Sequence, residues 1–237
     1  MKDYFRVKEP EVNINNSLPV ARPGLVFIII SVFVFVVSLP VGCPYFSFIL
    51  LVIAAFVIWF FRDPDRPVVD HSGFALSPAD GRVIKVENVA DNPFTKGPAK
   101  KISIFMNVLN VHVNRIPLDG VLLEQIYFPG KFFNANFDKA SEDNERNALI
   151  LQTRFGRVAM VQIAGLIARR IVTWVKEGEE LQGGQRCGMI RFGSRVDLYL
   201  PADSEVVVQV GQDVSAGLSP IWRLPQTSED KGKGQSR

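Results

Sequence analysis

Two cysteines, Cys43 and Cys187, and two histidines, His71 and His112, are all that 237 residues hold of the softer metal-binding side chains. That scarcity excludes a disulfide-rich secreted scaffold, a four-cysteine zinc site and a histidine-rich metal centre, and no metal is expected. Excess charge is lacking too. The 27 Lys and Arg against 24 Asp and Glu leave +3, too little and too scattered for a nucleic-acid partner. The low hydrophobicity of a disordered chain is also absent: 47% of residues are apolar and 18 are Phe, enough to bury a core.

The apolar residues are unevenly spread. Residues 24–61, 38 in all, contain no charged side chain. Pro40, Gly42 and Pro44 divide this run into halves, 24–39 and 45–61, of 16 and 17 residues. As helices they would be ~24–26 Å long at ~1.5 Å per residue, slightly short of a ~30 Å hydrocarbon core. A tight two-span hairpin with local thinning and a re-entrant pair both fit. A secretory signal peptide fits poorly, because the run starts late, is broken by prolines and ends in Trp59-Phe60-Phe61-Arg62 rather than in small residues. A buried core hairpin of a soluble protein would not need so many uncharged residues. Lys2, Arg6, Lys8 and Arg22 precede the run, and Arg62 and Arg66 follow it. Basic flanks on both sides place both on the cytoplasmic face of the cell membrane, with Trp59 suited to a headgroup-level anchor. The expected organisation is a basic segment 1–23, a membrane-inserted helical hairpin 24–61, a β-rich catalytic domain 62–225 and a disordered tail 226–237.

After Arg62 short β-branched runs alternate with glycine and proline, for example at 81–86, 101–105, 156–163 and 205–210. This predicts a mainly β fold, a compact sandwich or barrel. The polar stretch 131–147, with embedded Phe132, Phe133 and Phe137, reads as a long functional loop able to dip into headgroups or to cover a core. Glycine-punctuated hydrophobics at Val175-Lys176-Glu177-Gly178, Leu181-Gln182-Gly183-Gly184 and Cys187-Gly188-Met189-Ile190 resemble the β-hammerheads of biotinyl and lipoyl carriers and of some metallopeptidases. The shape is shared and the chemistry is not, since no lysine has a carrier's methionine-flanked setting and the histidines are too few.

Three segments hold candidate chemistry. Ser77-Pro78-Ala79-Asp80-Gly81-Arg82 is, alone, a turn signature. In Asn110-Val111-His112-Val113-Asn114-Arg115, a strand would put Asn110, His112 and Asn114 on one face and the valines on the other. A histidine flanked by two amides can hold one tautomer and exchange protons near neutrality. In Arg191-Phe192-Gly193-Ser194-Arg195 the Gly-Ser pair precedes a Val-Asp-Leu-Tyr-Leu run. A glycine there permits an unusual twist and leaves its carbonyl open to the Ser194 hydroxyl. His71, in Asp70-His71-Ser72-Gly73, looks like a solvent turn.

Taken together, the apolar hairpin, Phe60-Phe61-Arg62-Asp63-Pro64, Pro78-Ala79-Asp80-Gly81, Asn110-Val111-His112, Asn144-Glu145-Arg146-Asn147, Ala168-Arg169-Arg170-Ile171 and Phe192-Gly193-Ser194 resemble the short-form, membrane-associated phosphatidylserine decarboxylase proenzymes of bacteria and archaea. Longer members carry Leu-Gly-Ser-Thr at the processing site, whereas Phe192 and Arg195 flank Gly193-Ser194 here, as in the short subgroup.

The resemblance implies autocatalytic cleavage between Gly193 and Ser194, with His112 as base and Asp80 as its orienter, in the logic of a Ser-His-Asp triad. Ser194 would become a covalent pyruvoyl cofactor. Its ketone would take phosphatidylserine as a Schiff base and serve as the electron sink for decarboxylation to phosphatidylethanolamine and CO2. The large piece 1–193 and the small piece 194–237 would stay associated as a heterodimer, with a higher oligomer open. His112 is also the candidate proton donor in turnover, and Arg169 and Arg170 are candidates for the lipid phosphate or carboxylate. The alternatives are a membrane-anchored non-enzymatic β-domain adaptor and a conventional hydrolase on the same three residues. The hydrolase lacks the Gly-x-Ser-x-Gly elbow.

Overall fold

The computed structural model describes residues 19–67, 73–130, 144–165, 170–191 and 193–225. Of the sequence-derived candidates, Arg169, His71, Phe132, Phe133, Phe137 and Phe192, with the segments 1–18 and 226–237, lie outside the described residues.

The chain opens with two antiparallel helices, α1 (Leu25–Ser38) and α2 (Pro44–Phe60). Short 3-10 turns extend α1 at both ends, so Arg22–Val41 is one helical stretch of 20 residues. At ~1.5 Å per residue it is ~30 Å long, enough to cross a membrane by length and composition. This is longer than the charge-free half 24–39, because the prolines after Arg22 and Leu39 start 3-10 turns instead of ending the helix. α2 is apolar and shorter. Gly42 turns the chain at φ +76 and Pro44 starts α2 at a position that needs no N–H. Ser38 and Ser47 tie the helices together through a 3.0 Å Oγ–Oγ hydrogen bond. Elsewhere the pair presents exposed large apolar side chains, including Ile29, Phe33, Tyr45 and Phe48, which suit lipid better than water.

The remainder is mainly β. Its strands are β1 (Phe74–Leu76), β2 (Gly81–Asn92), β3 (Gly97–Met106), β4 (Val113–Arg115), β5 (Gly120–Phe128), β6 (Arg146–Thr153), β7 (Gly156–Ala164), β8 (Ile171–Thr173), β9 (Glu180–Leu181), β10 (Arg186–Ile190), β11 (Ser194–Pro201), β12 (Glu205–Val206), β13 (Asp213–Val214) and β14 (Pro220–Arg223). Eight form one curled sheet in the order β13-β2-β3-β11-β7-β6-β5-β9, and two three-stranded sheets, β1-β14-β12 and β4-β10-β8, complete the domain. Apolar residues alternating along β3, β6, β7 and β11 pack Ile102, Ile104, Leu149, Leu151, Met160 and Leu198 into the main core. The expected strand at 205–210 stops at Val206, since the ladder to β14 covers only Glu205 and Val206.

The hairpin is built into this domain. Phe60 and Phe61, fully buried, join Ala21, Val111, Val113 and Met189 in a second apolar cluster. Burying such a side chain is worth ~1.5–3 kcal/mol. The backbone binds the same junction, with Ala21 N–H donating to the Phe61 carbonyl at 2.8 Å and Asp63 N–H to the Pro19 carbonyl at 2.8 Å. Arg186 pairs with Asp63 at 2.9 Å and with Asp65 at 2.8 Å. The helical hairpin is therefore fixed to the β4-β10-β8 sheet by packing and by charge.

Candidate active site

Ser194 begins β11, the strand between β3 and β7, with Met106 on one side and Ala164 on the other. Its hydroxyl is buried and, among the described residues, donates only to the Met106 sulfur, at 3.3 Å. Thioether sulfur is a weak acceptor, so the oxygen is held in place while its lone pairs stay available. The preceding Gly193 sits at φ +60, in left-handed space that suits glycine, and a Cβ there would meet no atom of the described residues within 4 Å. The backbone thus leaves regular extended geometry at the Gly193–Ser194 bond, with open space on the glycine side.

A buried amide chain supports the Met106 sulfur. Asn114 Nδ2 donates to it at 3.6 Å, Gln162 Nε2 donates to Asn114 Oδ1 at 2.9 Å, and Asn147 Nδ2 donates to Gln162 Oε1 at 3.1 Å and to Thr173 Oγ1 at 3.0 Å. These amides hold β4, β6, β7 and β8 in register behind Ser194, because a buried amide left without partners is costly.

His112 precedes β4 and is wholly buried. The two-faced strand expected over this segment is short, since only Val113–Arg115 is strand, and the hairpin covers the rest: Val111, His112, Val113 and Asn114 are all buried. The imidazole packs on Phe60 with centroids 4.3 Å apart. Its Nδ1 is 2.9 Å from the Asn110 carbonyl, an acceptor, so Nδ1 carries the proton and Nε2 the lone pair. Nε2 is buried with no hydrogen-bond partner among the described residues. Burial pushes the imidazole pKa down to about 4, Arg62 pushes the same way, and the Asn110 bond and the Asp80 charge only partly oppose them. His112 is therefore neutral over the physiological range.

Asp80 takes a different partner from the one expected. Its carboxylate is bidentate with Arg66, at 2.7 and 2.8 Å, and accepts the Ala216 N–H at 2.7 Å. Arg66 also donates to the Ala216 carbonyl. The His112 ring hydrogen-bonds the Asn110 carbonyl, and among the described residues Asp80 acts on it by charge and not by a hydrogen bond. Gly81 is required beside it, since a Cβ there would lie 2.1 Å from the Phe105 carbonyl oxygen. Arg170 is exposed and directly precedes β8.

A family model described as phosphatidylserine decarboxylase matches residues 53–221. The chain is 49% identical over 209 residues to the phosphatidylserine decarboxylase proenzyme of Desulfotalea psychrophila, covering 88% of this chain and 98% of that one. It is 48% identical over 208 residues to the protein of the same name from Burkholderia ambifaria, covering 87% and 97%. The Burkholderia cenocepacia protein, again so named, is 49% identical over 208 residues with the same coverage.

The chain belongs to the phosphatidylserine decarboxylase family.

The region matched to the phosphatidylserine decarboxylase model holds Asp80, His112, Arg170, Gly193 and Ser194, and it begins inside α2. Sequence reading missed Phe60 as the cover of His112, Arg66 as the partner of Asp80, and Met106 and Gln162 behind Ser194. Phe60 and Arg66 lay in or beside quoted motifs, and Met106 and Gln162 beside or within quoted β-branched runs, but nothing local in the sequence pairs Phe60 and Arg66 with residues 14 to 52 positions away.

Proposed function

We propose that this chain is a self-processing, pyruvoyl-dependent enzyme that converts phosphatidylserine to phosphatidylethanolamine and CO2 at a membrane surface. The observation that carries the reading is the Gly193–Ser194 junction, a left-handed glycine with open space joined to a buried serine hydroxyl that no strong acceptor holds. Family membership and the names of the relatives support the substrate class.

In processing, His112 Nε2 takes the Ser194 hydroxyl proton as the oxygen attacks the Gly193 carbonyl. The Gly193–Ser194 amide becomes an ester, with the freed nitrogen as a new N-terminal amine. Loss of the Ser194 α-proton expels the Gly193 carboxylate and leaves dehydroalanine, which water converts to a pyruvoyl group with release of ammonia. No oxidant is required. The residues present fit the group: β11 holds its carrier in the sheet centre. The pyruvoyl ketone supplies an electrophile for the substrate amine and an electron sink for the departing carboxylate. Phe60 excludes water from His112, the Asn110 carbonyl fixes its tautomer, and Nε2 is the site that holds or returns a proton. Asp80 and Arg66 anchor the segment following the hairpin. The hairpin holds the domain at the interface, on the cytoplasmic side by its basic flanks, where a diacyl substrate resides.

Intact mass tests this. Wild-type protein should purify as two chains, 1–193 and a small 194–237 chain with a blocked N-terminus that gains about 2 Da on borohydride reduction and loses activity. Ser194→Ala should give one uncut, inactive chain near 26.5 kDa. Wild-type protein that stays uncut yet decarboxylates phosphatidylserine would overturn the mechanism.

A further inference from the structure

Arg191 follows β10, and its N–H donates to the Arg170 carbonyl at 3.3 Å. This continues the β10–β8 ladder, in which Ile190 faces Ile171, so the next cross-strand pair is Arg191 with Arg170. Like charges directly opposite one another destabilise a sheet. No carboxylate compensates them among the described residues. The nearby Glu145 accepts the Ile171 N–H at 3.3 Å and bonds Tyr127, and pairs with neither arginine. Arg191 is half-buried, and its Nε is buried without a partner among the described residues. Burial, then Arg170, hold its pKa below the usual guanidinium value.

The position of the pair indicates what is missing. The face of β10 that carries Met189 packs on the hairpin base, and Arg191, two residues on, shares that face. Its guanidinium lies 5.1 Å from the Phe27 ring centroid. Phe27 belongs to the first turn of α1 and is 40% exposed. The two arginines therefore stand where the apolar helix leaves the domain, and Arg191 is two residues from Gly193.

We propose that Arg170 and Arg191 form a seat for the phosphodiester of a phospholipid headgroup, with Phe27 as its floor. This assignment rests on the decarboxylase reading and specifies how that site takes its lipid. A phosphodiester carries one charge on two free oxygens, which suits two planar forks. It lies on the glycerol side of the serine, so phosphate held here leaves the amine directed toward Ser194. The pair is assigned to phosphate and not to the serine carboxylate, because gripping the carboxylate would stabilise the group that must leave.

The test uses the full-length protein in detergent, with soluble probes read by calorimetry and by thermal midpoint. Glycerophosphoethanolamine, which has the phosphodiester and no carboxylate, should bind and raise the midpoint, and free serine should do neither. Arg170→Gln and Arg191→Gln should each weaken that binding at least ~10-fold, and Arg191→Lys should fall between Gln and wild type. Without probe, Arg170→Gln should melt at or above the wild-type temperature, since it removes the repulsion from Arg191 and leaves the Arg191–Phe27 contact in place; this separates loss of a ligand from loss of a fold. Unchanged glycerophosphoethanolamine binding in both Gln variants, binding of serine alone, or inorganic phosphate binding more tightly than the phosphodiester would each overturn the seat. Wild-type turnover of phosphatidylserine vesicles is scored separately, and its absence counts against the decarboxylase reading alone.

Discussion

Replacing Phe60 by Ala should convert His112 from a base that works in mild acid into one that does not. Phe60 is wholly buried, and its ring lies 4.3 Å from the imidazole; burial is the largest cause holding the His112 pKa at about 4 instead of 6.5. Truncation to Ala admits water to the ring face. Full rehydration would return the pKa toward ~6.5, with the Asn110 bond and the Asp80 charge raising it and Arg62 lowering it. Near pH 5.5 the neutral fraction would then fall from nearly all to about one-tenth, and self-cleavage would slow about tenfold. Near pH 8 both proteins have a neutral imidazole, and the difference should vanish. The assay is the rate of appearance of the cut chains after synthesis, followed on gels from pH 5 to 8. Truncating a buried Phe also costs ~3–5 kcal/mol, so Phe60→Leu serves as control: it keeps an apolar cover and should keep the wild-type profile. Direct titration by NMR is simple in a chain with two histidines, because His71→Gln leaves His112 alone. If Phe60→Ala cuts with the wild-type pH profile, the hairpin does not set the base.

Other outcomes follow from the same geometry. His112 takes up a proton at ~6.5 when unfolded and at about 4 when folded, so the unfolded state binds more protons in between; denaturant titrations should show stability falling by up to about 3 kcal/mol as pH drops through that window, and His112→Gln should flatten the fall. Arg66→Gln should slow cleavage about as much as Asp80→Asn if Asp80 acts through the Arg66 bridge, and much less if Asp80 acts on His112 directly; parallel gel time courses decide. Gly193→Ala should process at least about fivefold more slowly, because φ +60 costs a residue with a Cβ ~1 kcal/mol or more; processing at the wild-type rate would mean that the backbone twist is not needed. Full-length protein should sediment with membranes through high-salt washes, and deleting residues 1–61 should uncover Val111, Val113 and Met189 and yield an aggregating domain, checked by size-exclusion chromatography.

The hairpin was legible because its signals are local. Absence of charge and three turn-forming residues marked both helices to within about one residue of Leu25–Ser38 and Pro44–Phe60. Strand starts at Gly81 and Gly156 were legible for the same reason. The long strand β5 and the order of the eight-stranded sheet were not, because neither leaves a local mark. At the site, motif and spacing nominated Ser194, His112 and Asp80, while the Asp80–Arg66 bridge and the Phe60–His112 contact depend on how the hairpin closes on the domain. A carboxylate near a histidine in a motif does not reveal that an arginine 14 residues earlier takes it.

The place of β11 has a consequence for the history of each molecule. It is an interior strand, hydrogen-bonded to β3 on one side and β7 on the other, and the proposed cut falls at its first residue. A chain that folds before it is severed assembles that sheet as one connected polymer. Once severed, the same sheet can be rebuilt only by the meeting of two separate chains, one of them 44 residues long. Melting should then be a one-way event whose recovery depends on concentration, and the mature protein would persist through slow unfolding instead of ready return.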